Sequence, residues 1–198
     1  MTAVAESWAR IGAWLQKHAP ATFAQLAPPA DPAEIARVQD EMGLKFPQDL
    51  VDSLLCHNGL TRYSRANFLP ALYPPLSAEE ILAHWQSNVE INEDLNLDGE
   101  QEPDDQWFHP LWIPFGEAEG DSQVIDMRDG SGQVGMHLHD MGGVFNGAWP
   151  SLAEYLSATA EALVEGVDAG GRFPYLDEKG ELSWDLAGRL HERAPAGL

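Results

Sequence analysis

Eight carboxylates and no basic side chain lie between Glu90 and Gln106: Glu90, Glu93, Asp94, Asp98, Glu100, Glu102, Asp104 and Asp105. Like charges at this density repel one another and disfavour a compact segment, so residues 90–106 are expected to form a solvated acidic loop that attracts a cationic partner or a metal ion. Within it, Asp94-x-Asn96-x-Asp98-Gly99 matches the first six positions of a calcium-binding EF-hand loop, whose alternating oxygens and sharp glycine turn wrap a hard cation. The twelfth position is Asp105, one carbon shorter than the bidentate glutamate of that motif, and Pro103 stands where the exiting helix should begin. An Asx-rich loop without calcium fits these departures better. Calcium binding by residues 94–105 remains the alternative to a protein partner.

Two other groupings could do chemistry. His137-x-His139-Asp140 sets two imidazoles on the same side of an alternating segment, where a third ligand such as His109 could complete a metal site. No spacing secures that third ligand, so the expectation is plain polar histidines on an exposed sheet face and no metal. Cys56-His57 joins a thiol to an imidazole, yet neighbouring helical residues point about 100° apart and cannot make a nucleophile–base contact. The sequence has no P-loop, dinucleotide fingerprint or nucleophile elbow. A protein that binds rather than catalyses, and that needs no cofactor, is expected.

The charge balance narrows the partners. With 32 acidic against 11 basic residues and a formal charge of −21, most of the surface would repel phosphate backbones and anionic lipid. Nucleic acid and membrane are therefore excluded as expected partners, and a basic protein is the natural complement. The single cysteine, Cys56, falls in an apolar helical pattern and offers no disulfide framework. Residues 1–10 lack a basic segment leading into an apolar core, and no window reaches membrane-spanning length, which gives the expectation of a cytoplasmic protein.

The elements that must position these groups are written in periodicity and caps. A chain of 198 residues with 44% apolar content can bury one sizeable core, so a single domain over 1–198 is expected. Trp8, Ile11 and Leu15 put one apolar stripe on a helix from about Ala5 to His18, which Pro20 and Pro28-Pro29 stop. Asp31-Pro32-Ala33-Glu34 supplies an N-cap, a first-turn proline and a glutamate reaching back, ahead of Ile35, Val38 and Met42, and Gly43 suits a left-handed end. Phe46-Pro47 starts a third helix with Leu50, Val51, Leu54 and Leu55 on its buried face, and Asn58-Gly59 stops it. Ser77-x-x-Glu80 boxes a fourth helix whose Ile81, Leu82, Trp85 and Val89 face inward.

Beyond the acidic stretch the period changes from helical to alternating. Trp112 to Phe115 is a short apolar run. Ser122 to Met127 sets Val124 and Asp126 against Gln123, Ile125 and Met127, and Gln133 to His139 sets Val134, Met136 and Leu138 against Gly135 and His137. Arg128-Asp129-Gly130-Ser131-Gly132 can reverse the chain, so the last two runs pair as a hairpin. Ser151-x-x-Glu154 opens a further helix with Leu152, Tyr155, Leu156, Leu163 and Val164 inward, ending near Gly166. Residues 167–198 read as an accessory hairpin, Phe173 to Trp184 around Asp177-Glu178-Lys179-Gly180, with a frayed tail from Ala194. The result is an α+β protein, a mainly antiparallel twisted sheet flanked by helices.

Taken in order, Glu41-Met-Gly43-Leu44-x-Phe46-Pro47-x-Asp49-Leu50, Asn58-Gly59, Trp112-Ile-Pro114-Phe115, the Asp121 to Asp126 strand, Gly132-Gln-Val-Gly135 and Ser151-Leu-x-x-Tyr155-Leu156 resemble the SUKH superfamily, the Smi/Knr-type domain. The resemblance covers roughly Trp8 to Val164. It implies a SUKH-like fold with Gly43, Pro47, Gly59, Trp112, Pro114, Asp126 and Gly135 as its signature. Gly43 and Gly59 permit positive φ where helices end, Pro47 fixes φ at a helix start, and Trp112 supplies buried area at the sheet. Phe46 in place of the commoner leucine, the acidic insertion and the C-terminal hairpin depart from the pattern.

The resemblance also implies a function by binding. Bacterial members of that superfamily act as immunity proteins that sit on a polymorphic toxin, many of them nucleases. Dense carboxylates would suit such a role, because a nuclease presents cationic surface to phosphates and an acidic inhibitor can mimic them. On this reading Glu93, Asp94, Asp98, Glu100, Glu102, Asp104 and Asp105 contact a basic toxin domain. An endogenous scaffold or regulator of the same fold is the alternative.

Overall fold

The computed structural model describes residues 2–61, 64, 66–95, 106–186 and 193–198. Helices α1 (Ala3–His18), α2 (Pro20–Phe23), α3 (Pro32–Met42), α4 (Gln48–Leu54) and α5 (Ala78–Leu95) come first. Strands β1 (Trp112–Ala118), β2 (Asp121–Asp126), β3 (Gln133–Leu138) and β4 (Gly142–Trp149) then form an antiparallel meander, order β1-β2-β3-β4. Helix α6 (Leu152–Glu165) and the β5 (Arg172–Leu176) and β6 (Leu182–Leu186) hairpin follow. The architecture is α+β.

The caps are those the sequence signals. Asp31 accepts from the Ala33 N–H at 2.8 Å, and Gly43 ends α3 at φ 66°. Ser77 and Glu80 close their box, with the Ser77 N–H donating to Glu80 Oε2 at 2.8 Å and the Glu80 N–H donating to Ser77 Oγ at 3.3 Å. Ser151 caps α6 through the Glu154 N–H, and Gly166 ends that helix at φ 70°. Glu34 does not reach back to its own helix; its carboxylate accepts from the Asn58 side chain at 3.3 Å. Asn58 also accepts from the Ala78 N–H at 2.8 Å, so one amide ties α3 to the start of α5.

Both faces of the sheet are covered. Ile113, Phe115, Ile125 and Val134 join the main core with α1, α3, α4 and α6, while Trp112 and Val124 pack with Phe108 in a second cluster. Helix α5 runs from one to the other, its Ile81 and Leu82 in the main core and its Val89 against the second cluster. Residues 122–126 are consequently buried on both faces, and the alternation read from the sequence does not divide core from solvent there.

Four expectations are corrected. Strand β4 was not foreseen, because Gly142, Gly143 and Gly147 depress strand propensity. Glycine is needed at 143, where an added Cβ would lie 2.3 Å from Trp112 Cη2. Next, Glu90, Glu93 and Asp94 are not in a loop, since α5 continues through Leu95. Leu55 lies outside the buried face of α4, 38% exposed. The tail is docked rather than frayed: Ala194 is buried, the Trp14 indole N–H donates to the Pro195 carbonyl at 2.9 Å, and the Gly197 N–H donates to the Val164 carbonyl at 2.7 Å. The Trp14 indole is fully buried, and the tail supplies its acceptor.

Candidate binding face

The last two turns of α5 have an inverted pattern. Asn88 and Asn92 point into the protein and are buried, whereas Ile91 and Leu95 are 43% and 57% exposed. The Asn92 side chain accepts from the Phe108 N–H at 3.0 Å, which holds the returning chain against the helix. Around the exposed Ile91 and Leu95 stand Glu90, Glu93 and Asp94, also on the exposed side. Carboxylates at a helix C-terminus oppose the macrodipole, typically by 0.3–1 kcal/mol each, and no basic residue of the last turn offsets them. A cationic group with an apolar flank would satisfy both features.

Of the acidic residues named from the sequence, Glu93 and Asp94 lie on this face, while Asp98, Glu100, Glu102, Asp104 and Asp105 lie outside the described residues. The remainder of the calcium-like loop lies there too. Asp94, its first position, belongs to the final turn of α5.

The signature residues are structural. Gly43 is the left-handed cap of α3, and Pro47 is the extended N-cap of α4. Gly59 has φ 69°. Pro114 sits beside a register shift in β1, an edge strand whose outer side is covered by 74–76 through the Leu76 N–H to the Phe115 carbonyl at 2.9 Å. Asp126 grips Arg128 with both oxygens at 2.7–3.0 Å, and the guanidinium stacks 5.3 Å from the Trp112 ring. Gly135 leaves room for Phe145, whose Cδ1 would be 2.3 Å from an added Cβ.

His109, His137 and His139 have separate surroundings. Among the described residues no group of three or more His, Cys, Asp or Glu is arranged to hold one. His139 is exposed and pairs through Nδ1 with Asp121 at 2.7 Å. That hydrogen bond raises its pKa. For Asp121 burial pushes upward, but the His139 backbone and ring outweigh it and the carboxyl is lowered. His109 Nδ1 accepts from the Leu111 N–H. His137 is not on an exposed face at all: it is fully buried, edge-on to Trp107 at 4.5 Å and Phe108 at 5.1 Å.

Among the described residues neither nitrogen of His137 makes a well-formed hydrogen bond, and burial, with the nearby His84, outweighs Asp121 and the Trp107 backbone and lowers its pKa to about 4. Because the folded value lies below the unfolded one, its contribution to stability is complete above about pH 6.5 and is lost as pH falls towards 4. The loss should reach about 3 kcal/mol, at 1.36 kcal/mol per pH unit. Urea denaturation of the wild type and of His137→Leu at pH 7 and pH 4.5 checks this. The variant should show the shallower decline, and equal declines would refute it.

Nucleophilic chemistry finds no support at the cysteine. Burial, and then Asp52, raise the Cys56 thiol, and the His57 ring bonds to the Ala27 carbonyl at 2.9 Å instead. One dyad escaped sequence reading: His84 Nε2 lies 2.9 Å from Ser122 Oγ. The distance suits a nucleophile and its base, yet Ser122 is completely buried and burial depresses His84, so no substrate reaches the hydroxyl. No helix among the described residues is long and apolar enough to cross a membrane.

The model of the SMI1 / KNR4 family (SUKH-1) matches residues 29–158. A KNR4/SMI1 homolog of Yarrowia lipolytica is 31% identical over 84 residues, 42% of this chain and 12% of the relative. A glucan synthesis regulatory protein of Neurospora crassa is 27% identical over 95 residues, 48% of this chain and 18% of the relative. The matched segments are thus less than a fifth of either relative's length.

Proposed function

Because the chain belongs to the SMI1 / KNR4 family (SUKH-1), we propose that it is a regulatory protein-binding module without catalysis of its own. The observation that carries the reading is the end of α5, which buries Asn88 and Asn92 and exposes Ile91 and Leu95 among carboxylates. A partner with a basic rim around an apolar anchor complements that surface. The name of the Neurospora crassa relative, a glucan synthesis regulatory protein, supports a regulatory rather than a catalytic role.

A photo-crosslinking residue at position 91 should capture a basic protein in the native cell, and one at position 13, on the exposed side of α1, should not. Glu93→Lys combined with Asp94→Lys should weaken the captured complex by about tenfold or more, and rising salt should weaken the wild type similarly. Equal capture at both positions, or affinity insensitive to salt and charge, would overturn the proposal.

The second reading is an immunity protein that neutralises a basic, nuclease-type toxin. It is supported by the formal charge of −21 and the eight carboxylates of 90–105. It requires a toxin whose growth inhibition disappears on co-expression with this chain, and persistent inhibition by every toxin encoded beside it would reject it. The relatives matched are fungal, which favours the regulatory reading.

A further inference from the structure

Beside Tyr155 of α6, on the sheet, lies a half-open pocket of about 180 Å³. Its apolar wall includes Val134, Met136 and Trp149, and its polar groups are Gln123, Asn146, Tyr155 and Arg172. Among the described residues no carboxylate lines it. The polar groups are unevenly satisfied. Tyr155 accepts from the Ala71 N–H at 3.2 Å and donates to Gln123 Oε1 at 3.3 Å, which uses the tyrosine proton and the amide oxygen.

What remains is a set of donors. Gln123 is only 3% exposed, and among the described residues its amide nitrogen has no hydrogen-bond partner. Arg172, half-buried at the head of β5, makes no ion pair and no side-chain hydrogen bond among the described residues. The guanidinium is near enough to Tyr155 to pull against the rise, to about 12, that burial imposes on the phenol. A planar cation and an amide N–H facing one pocket match a carboxylate, which accepts from both. Size sets the rest of the molecule: an engineered apolar cavity of about 150 Å³ holds benzene.

We propose that this pocket binds a small organic acid of about one ring, its carboxylate on Arg172 and Gln123 and its apolar body against Trp149, Met136 and Val134. The net charge of the protein repels anions at long range, so recognition is local to the pocket. The site is distinct from the acidic end of α5 and stands whether or not a protein docks there.

Benzoate and benzamide are the probes, titrated into the full chain and followed by backbone and indole N–H resonances. Benzoate should shift Gln123, Met136 and the Trp149 indole saturably, and benzamide should bind about tenfold more weakly or worse, since it lacks the charge. Arg172→Gln should weaken benzoate by a similar factor, with the remaining spectrum unchanged. Three outcomes would overturn the proposal: no saturable shift up to about 10 mM, equal affinity for the amide, or full affinity in Arg172→Gln. If that variant fails to fold, the acid-to-amide comparison on the unaltered protein decides alone.

Discussion

Gly59→Ala should destabilise the protein by about 3–5 kcal/mol, enough to leave much of it unfolded at physiological temperature. Two costs add. At φ 69° an alanine meets the left-handed penalty of roughly 1–2 kcal/mol. Its Cβ would also sit 2.5 Å from the Ser77 nitrogen and 2.8 Å from the Leu76 carbonyl carbon, both backbone atoms that cannot rotate away. The position is a junction: the Ala27 N–H donates to the Gly59 carbonyl, and the adjacent Asn58 holds the start of α5. Gly43→Ala is the internal control, because φ is 66° there and nothing lies within 4 Å of the added methyl. It should cost only about 1–2 kcal/mol. Denaturant midpoints of the two variants test the argument, and similar losses would show that crowding at Gly59 contributes nothing.

Trp14→Ala should cost about 3–5 kcal/mol, since the side chain is fully buried between α1 and its surroundings and leaves a large cavity. Part of the effect belongs to the tail. Removing residues 194–198 takes away the Pro195 carbonyl and strands a buried indole N–H, a loss of about 1–3 kcal/mol. In a Trp14→Phe background the same truncation should cost less, because no donor is left stranded. A double-mutant cycle gives the coupling, and strictly additive losses would mean that the 2.9 Å hydrogen bond is not what holds the tail.

Much of the helical layer was legible because its ends carry local chemistry. Asp31, Ser77, Ser151, Gly43 and Gly166 each act within a few residues, so the information needed to read them is nearby. The misreadings share the opposite property. Strand β4 contains Gly143, whose reason is the indole of Trp112, a residue that meets it only in three dimensions. His137 looked polar because nothing in the sequence announces that Trp107 and Phe108 fold over it. Asn92 defeats periodicity for the same reason: a buried amide is acceptable when a distant backbone group such as the Phe108 N–H needs it. Of the candidate face, the charge was visible in composition, while the exposed Ile91 and Leu95 emerge only when the helix is seen against the sheet.

Strand β4 closes the sheet on one side, and among the described residues no other strand pairs with its outer edge. None of its eight residues is charged and none is proline, so the usual guards against a second molecule adding itself as a fifth strand are missing. The register break between Val134 and Met136, where Trp149 and Val144 face them, is what remains. A molecule approaching in register would find its hydrogen-bonding ladder interrupted midway, so in mild acid, once mutual repulsion between copies fades, that kink is the guard the described residues offer against edge-to-edge stacking.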